Sequence, residues 1–323
     1  MKAIVYERYG SPDVLELRDM PQPVPRDNEL LVKVRAVSVN AFDWHMLRGK
    51  PFVARLAGGL FSPKHAILGE DIAGTVEEVG RGVTQFKAGD DVFGDLAACG
   101  SGGFAEYVCA RADLLAPKPG NMSFDEAAAV PMAAVTALQG LRDKGRIASG
   151  QRVLIHGAAG GVGTFAVQLA RHFGAEVTAV CGPGNVEQAR SLGAERVIDY
   201  SREDFSREKV RYELILGVNG DRKLTDYKRA LAPGGIYVMS GGSDRQIFGS
   251  LLLGPWLSLG GGRKLTAMVA RANREDLLFL KKLIEAGRLR AVIDRRFPLA
   301  ETAAAIRYLE TGHARGKVVI RVA

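Results

Sequence analysis

One run constrains the fold of this chain more than any other. Val153-Leu-Ile-His-Gly-Ala-Ala-Gly-Gly-Val-Gly163-Thr-Phe-Ala-Val-Gln-Leu-Ala-Arg-His-Phe-Gly174-Ala-Glu-Val-Thr-Ala-Val180 reads as an apolar strand, a glycine turn, a helix and a second apolar strand. Gly157 permits the tight turn, and Gly160 and Gly161 let the backbone approach a pyrophosphate. Gly163 lets the helix pack closely on the strand, with Val162 between the last two glycines. The free N–H groups at the helix start then face an anion. Gly174 stops the helix. A glycine pattern alone is weak, but strand, turn, helix and strand in this order specify the first half of a dinucleotide-binding fold.

The alternation continues downstream. Arg152–His156, Glu176–Val180, Arg196–Ile198, Leu214–Leu216, Ile236–Met239 and Leu265–Val269 read as strands separated by helical segments, the full set of a doubly wound parallel sheet. Upstream, residues 1 to about 120 read differently, as short strands separated by glycine, proline and charge: Ala3–Tyr6, Leu15–Leu17, Leu30–Val34, Ala73–Val79, Asp91–Phe93 and Phe104–Val108. That pattern predicts a barrel-like β domain. Ser123-Phe-Asp-Glu126 is a capping pattern that opens an alanine-rich helix, and the composition changes there. The expected division is residues 1–123, with a C-terminal return over 272–323, and a nucleotide-binding domain over 124–271. The tail, a helix over Ala300–Glu310 and a strand over Lys317–Val322, is expected to rejoin the first domain.

With 323 residues the chain has room for two domains. Its formal net charge of +8 comes from scattered lysines and arginines without a basic block, so no nucleic-acid partner is expected. Cys99, Cys109 and Cys181 are odd in number and lack CxxC spacing, which suits a reducing compartment such as the cytoplasm. The N-terminus reads as a strand, not a signal peptide. Leu251–Leu259 is too short and too broken by Gly254 and Pro255 to span a bilayer, so it is expected to cover a core or an interface, and no membrane partner is expected.

Several signatures together carry a family resemblance: Val39-Asn-Ala-Phe-Asp43, Leu68-Gly-Glu-Asp-Ile-Ala-Gly74, Lys87-Ala-Gly-Asp-Asp-Val-Phe-Gly94, Gly102-Gly-Phe-Ala-Glu-Tyr107, Ala158-Ala-Gly-Gly-Val-Gly163, Leu231-Ala-Pro-Gly-Gly235 and Gly316-Lys-Val-Val319. The chain resembles the zinc-independent quinone oxidoreductase branch of the medium-chain dehydrogenase/reductase superfamily. The resemblance implies a GroES-like catalytic domain, a Rossmann domain and a homodimer, with Leu265–Val269 pairing with its copy. In zinc-dependent relatives a cysteine stands where this chain has Asn40, and Gly-His-Glu where it has Gly69-Glu70-Asp71. Both metal-ligand positions are therefore replaced. His45 and His65 are left for surface, hydrogen-bonding or substrate-lining roles.

The glycine turn gives cofactor contacts at Gly160, Gly161, Val162 and Gly163, the end of the second strand adds Cys181 and Asn185, the phosphate side adds Tyr200, and the resemblance implies Thr136, Gly217, Val218, Ser240, Gly241 and Lys317. NAD selection needs an acid at the end of the second strand, and Val180-Cys-Gly-Pro-Gly-Asn185 has none. NADPH selection needs donors and positive charge there. Relatives often place Ser and Arg before the asparagine, where this chain has Gly182-Pro183-Gly184. Arg190, Arg202, Asn185 and Tyr200 are substitutes. The expectation is NADPH, with NADH not excluded. Gly217 stands where relatives usually have Asp.

Without metal or an evident nucleophile pair, the expected chemistry is hydride transfer to a quinone, an enone or a similarly activated alkene. The acceptor oxygen then needs a donor. Some relatives carry a tyrosine after the Asn-x-x-Asp loop, but Leu47-Arg-Gly-Lys-Pro-Phe52 has none. Asn40, His45 and Lys50 are the catalytic candidates, Asn40 first. Asp43 is expected to cap the following helix, and Trp44, Phe52, Phe61 and Trp256 to wall an apolar pocket. Two other readings compete: reversible alcohol/carbonyl oxidoreduction, and a cofactor-binding protein with little turnover.

Overall fold

In a computed structural model the chain forms two compact units, residues 1–132 with 272–323, and residues 133–271. The description covers all residues except 53, 243–245, 247, 248, 251–253, 259–261 and 323. Most of the apolar flanks of the Leu251–Leu259 stretch therefore lie outside the described residues.

The first unit opens with an antiparallel pair, β1 (Lys2–Val5) and β2 (Glu16–Asp19). Its main sheet has seven strands. They are β3 (Glu29–Val39), β4 (Asp71–Val79), β5 (Asp91–Asp95), β6 (Tyr107–Arg111) and β7 (Leu115–Pro117), joined by two strands from the C-terminal segment. β3 is much longer than the expected Leu30–Val34. It pairs with β6 along its first half and with the C-terminal return along its second, with β4 on the other side. Two register shifts against β4 let one strand serve these partners. Helices α1 (Ala41–Arg48) and α2 (Ala54–Gly58) fill the crossover between β3 and β4. Leu30, Val32, Val37, Ile72, Phe104 and Ile320 form the center of its core.

Helix α3 (Phe124–Ala128) is capped as its sequence requires: Ser123 Oγ accepts from Glu126 N, and Glu126 Oε2 accepts from Ser123 N at 2.9 Å. It packs on β3 and β4, so it belongs to the first unit. The division accordingly falls after Met132 and not after residue 123. A cap signals where a helix begins, not which core its apolar face will cover.

The chain passes through α4 (Pro131–Gln139) into the second unit. There β8 (Arg152–His156), α5 (Gly161–His172), β9 (Glu176–Cys181), α6 (Val186–Ser191), β10 (Arg196–Asp199), β11 (Tyr212–Gly217), α7 (Leu224–Ala230), β12 (Leu231–Met239), α8 (Gly254–Ser258) and β13 (Lys264–Ala267) follow in order. All six strands are parallel, ordered β10-β9-β8-β11-β12-β13. This is the doubly wound arrangement expected from the alternation.

The return segment holds α9 (Arg274–Glu285), β14 (Ile293–Pro298), α10 (Thr302–Glu310) and β15 (Lys317–Arg321). β15 lies between β14 and β3. β14 had no expected counterpart: Ile293-Asp-Arg-Arg-Phe-Pro298 is charged and has no buried residue, an edge strand without the apolar alternation that marks strands in sequence.

Candidate functional site

The glycine turn sits between β8 and α5. Gly157 has φ +92°, and a Cβ there would lie 2.8 Å from Asn219 N. Its N–H and that of Ala158 both donate to the Val180 carbonyl, at 3.1 Å each. A Cβ on Gly163 would stand 2.1 Å from the Gly157 carbonyl oxygen, so only glycine lets α5 start this close to the strand. Gly160 is the N-cap and offers no side-chain acceptor. A Cβ on it would meet nothing nearer than 3.9 Å. The leading amides of α5, on Gly161, Val162 and Gly163, lie beside that open space at the positive end of a twelve-residue helix with no side-chain cap. A pyrophosphate fits this cradle.

The strand order reverses between β8 and β11, and open parallel sheets bind ligands at the carboxyl ends beside such a reversal. Most of the expected cofactor residues gather on these ends. Cys181 closes β9, and burial pushes its thiol up to about 11, so it acts as a neutral packing group. Asn185 ends the turn Pro183–Asn185, and its Oδ1 is buried without a partner. Such an orphan acceptor is costly unless something donates to it. Tyr200 donates its backbone N–H to the Cys181 carbonyl at 3.2 Å and leaves its ring largely exposed beside Gly182. Val218 N donates to the His156 carbonyl at 3.0 Å and Ser240 N to the Gly217 carbonyl at 2.9 Å. A Cβ on Gly241 would come within 2.4 Å of the Val218 oxygen. Thr136 lies buried in α4.

Gly217 has a structural counterpart that the sequence did not reveal. A Cβ there would be 2.7 Å from the Tyr237 hydroxyl, so the tyrosine fills the room a side chain would need. The two cations proposed for a phosphate both face acids: Arg190 pairs with Glu187 at 2.8 Å and Arg202 with Asp199 at 3.8 Å.

In the first unit, Asn40 and Lys317 meet on a residue the sequence reading missed. Asp71 Oδ2 accepts from Ser38 Oγ (2.9 Å), Asn40 Nδ2 (2.9 Å) and Lys317 Nζ (3.2 Å), while Oδ1 accepts from Met132 N (2.8 Å). Lys317 Nζ also donates to Asn40 Oδ1 at 2.5 Å. The register explains the meeting, because Ser38 lies opposite Asp71 across β3 and β4, and β15 runs beside β3. Lys317 is 3% exposed and Asp71 fully buried. The lysine is therefore not a solvated cation. Asn40 also donates to the Ser38 carbonyl at 3.3 Å. Both its amide hydrogens are thus spent inside the protein, which corrects its expected role as donor to an acceptor oxygen. The missed signal was two consecutive acids, Glu70 and Asp71, at the head of the buried first half of β4.

Three more carboxyls are buried nearby in the same unit. Asp43 caps α1 as expected, its Oδ2 accepting from Asn40 N at 2.7 Å and its Oδ1 from Gly69 N at 3.0 Å. Burial pushes it up to about 6. Glu70 receives Ser101 Oγ at 2.6 Å, and its other oxygen is buried without a partner. Burial, followed by the charge of Asp43, holds Glu70 well above the usual carboxylate range. Burial and then Asp71 push Asp95 up to about 7.

His45 and Lys50 are held apart from this network. His45 Nδ1 meets the Lys50 carbonyl at 2.7 Å and its ring stacks on Trp44 at 3.6 Å, while the Lys50 side chain is exposed. Among the described residues neither hydrogen-bonds to Asn40, Asp71 or Lys317. The expected aromatic wall is corrected in part: Trp44 packs against the core, and Phe52 and Phe61 are 64% and 91% exposed and project outward, whereas Trp256 lines a cavity of about 370 Å³ with Leu224, Gln246 and Leu257.

Comparison with known proteins extends these observations. The family described as alcohol dehydrogenase GroES-like domain matches residues 26–120, and that described as zinc-binding dehydrogenase matches residues 192–320. A 2-methylene-furan-3-one reductase of Solanum lycopersicum is 36% identical, over 99% of this chain and 79% of its own length. An NADPH-dependent alkenal/one oxidoreductase, chloroplastic, of Arabidopsis thaliana is 34% identical over the same shares. The solved structure of the quinone oxidoreductase from Coxiella burnetii superimposes with a TM-score of 0.89 at 35% identity, covering 100% of this chain and 99% of that one.

The residues present do not fit the zinc ion that one family description implies. Asn40 is engaged with Lys317 and Asp71, Glu70 with Ser101, and Asp71 with four donors. Among the described residues no three His, Cys, Asp or Glu side chains are arranged to hold a metal.

Proposed function

The chain belongs to the quinone oxidoreductase-like family of medium-chain dehydrogenases/reductases, and from that premise we propose that it transfers hydride from NADPH to a quinone, an enone or a similarly activated alkene without zinc. One observation carries the reading: the uncapped start of α5, opened by Gly160 and held close by Gly163, beside the reversal of the parallel sheet. The bound nicotinamide supplies the hydride.

The chain's own residues bind and orient. The α5 amides hold the pyrophosphate, and the orphaned Asn185 Oδ1 accepts from an adenosine ribose hydroxyl. NADPH is the cofactor of this reading because Cys181 to Asn185 carry no acid for a ribose 2′-hydroxyl, and a 34% identical relative is an NADPH-dependent alkenal/one oxidoreductase by name. Tyr200 and Asn185 are the groups we assign to the phosphate side. Lys317 keeps the cofactor role that the resemblance gives it. Asp71 and Asn40 use two of its three hydrogens and fix its direction, leaving one to donate. Asn40 is thus a positioning residue. His45 and Lys50 remain the candidates at the acceptor. Residence in the cytoplasm is part of the reading, since the three cysteines are free. No helix among the described residues is long and apolar enough to cross a membrane.

The test is oxidation of NADPH and, separately, NADH with a panel of quinones, enones and aldehydes. NADPH-dependent turnover of quinones or enones is expected. Turnover of saturated aldehydes or alcohols alone would favor alcohol/carbonyl chemistry. Cofactor binding without turnover would favor the low-turnover reading, which the spent amide hydrogens of Asn40 already recommend as the alternative.

A further inference from the structure

From Trp44 to Gly69 the chain carries no aspartate or glutamate. Within that stretch Phe52, Leu56, Leu60 and Phe61 are 64%, 71%, 43% and 91% exposed. Lys50 and Lys64 are exposed beside them, and among the described residues neither has an acidic partner. Single exposed apolar residues need no explanation, but several gathered on one loop mark a contact surface.

The loop is braced, not loose. Arg55 N donates to the Phe52 carbonyl at 3.0 Å, and Lys64 N to the Gly58 carbonyl at 2.6 Å, folding residues 52–64 back on themselves. The Arg55 guanidinium lies 4.6 Å above the Tyr9 ring and donates to the Gly49 carbonyl at 3.2 Å. The Tyr9 hydroxyl donates to the Gly59 carbonyl, and Gly58 is buried against Met46. The fold thus fixes the backbone that presents these side chains to water.

We propose that this loop docks on an anionic lipid surface, the projecting phenylalanines and leucines entering the interfacial layer while Lys50 and Lys64 face the headgroups. Projecting residues suit insertion, whereas a small-molecule site needs concave walls. The acid-free run supplies the charge complementarity. Absence of a spanning helix bears on crossing a bilayer, not on resting upon one, so the expectation of no membrane partner is revised here. Resting on the reading above, the contact would bring the enzyme to apolar acceptors dissolved in the bilayer.

The test is co-sedimentation of the whole protein with vesicles of phosphatidylcholine alone or with about one-third phosphatidylglycerol. Binding to the anionic vesicles is expected, weakening as sodium chloride rises. Lys64→Glu, and the double variant Leu56→Ser with Phe61→Ser, should each lower partitioning by about tenfold or more. Their unfolding temperatures should stay unchanged, since all three side chains are exposed. Equal partitioning of wild type and variants, or none with either vesicle, overturns the proposal. So does a raised KM for a water-soluble quinone in the double variant without vesicle binding, which would make the loop a rim of the acceptor site. Vesicle binding is read without turnover, so failure of the reductase reading leaves this result standing.

Discussion

At the scale of single residues, the sharpest constraint is Gly163. Its missing Cβ is what lets the Gly157 carbonyl approach, so Gly163→Ala must push α5 away from β8 and tilt its leading amides. We expect NADPH binding at least about tenfold weaker in calorimetry, about 1.4 kcal/mol. An unchanged affinity would remove the helix start from the cofactor site. The buried acids make a prediction in pH. Asp43, Asp95 and Glu70 all hold protons to higher pH in the folded chain than when unfolded. Through these three groups the native state binds more protons, and their contribution to stability falls as pH rises from about 4 to beyond 7, while buried His156, pushed down to about 4, contributes in the opposite direction. Glu70→Gln keeps the neutral shape and removes one titration. Its unfolding temperature should decline less between pH 5 and pH 8 than that of wild type, and an equal decline would mean Glu70 is not held neutral. Lys317→Met leaves Asp71 buried without its cation, a loss of about 3–5 kcal/mol in urea unfolding. A loss below about 1 kcal/mol would show that Ser38, Asn40 and the Met132 amide suffice.

At the scale of elements, the α3 cap is testable in isolation. Ser123→Ala removes the side-chain acceptor for Glu126 N and should cost about 1 kcal/mol in chemical denaturation. What was legible in the sequence follows from the kind of signal each element carries. β8, α5 and β9 were readable because parallel strands buried on both faces are continuous apolar runs and the turn demands glycine. β7 was not, because Leu115-Ala-Pro117 is three residues long and ends in proline. The expected strand Phe104–Val108 lies at Tyr107–Arg111, since Ala105 makes only an isolated bridge to Ala3. The cofactor positions we propose rest on the glycine turn and the resemblance. The Asn40–Asp71–Lys317 network was not legible, because it depends on three strands that share a register but are separated by up to 277 residues in sequence. Likewise, Tyr237 reaches the space above Gly217 only through the pairing of β11 with β12.

At the scale of the whole molecule, β13 closes one side of the parallel sheet and pairs only with β12 among the described residues. Leu265 N on this edge already donates to Ser258 Oγ at 2.9 Å, and we propose that the rest of the edge pairs with a second copy to form a homodimer. Ala267→Pro would remove a donor from that edge, because Met268 N donates to Met239 O inside the sheet and the N–H of its neighbor points the other way. Sedimentation at micromolar concentration should show a wild-type dimer and a variant shifted toward monomer, and a wild-type monomer would refute the arrangement.

The place of β15 between β14 and β3 has a consequence for biosynthesis. Val39 pairs with Val318, so the second half of β3 leaves the ribosome long before its partner is translated. At roughly 5–20 residues per second that wait is on the order of 15–60 s. The second unit is one continuous segment and has its whole sequence in hand during that interval. The first unit spends it as a sheet with an open, apolar flank. A nascent chain stalled before residue 317 would carry a nucleotide-binding unit whose sequence is complete together with a sheet that lacks β15, and the open edge of β3 would invite aggregation.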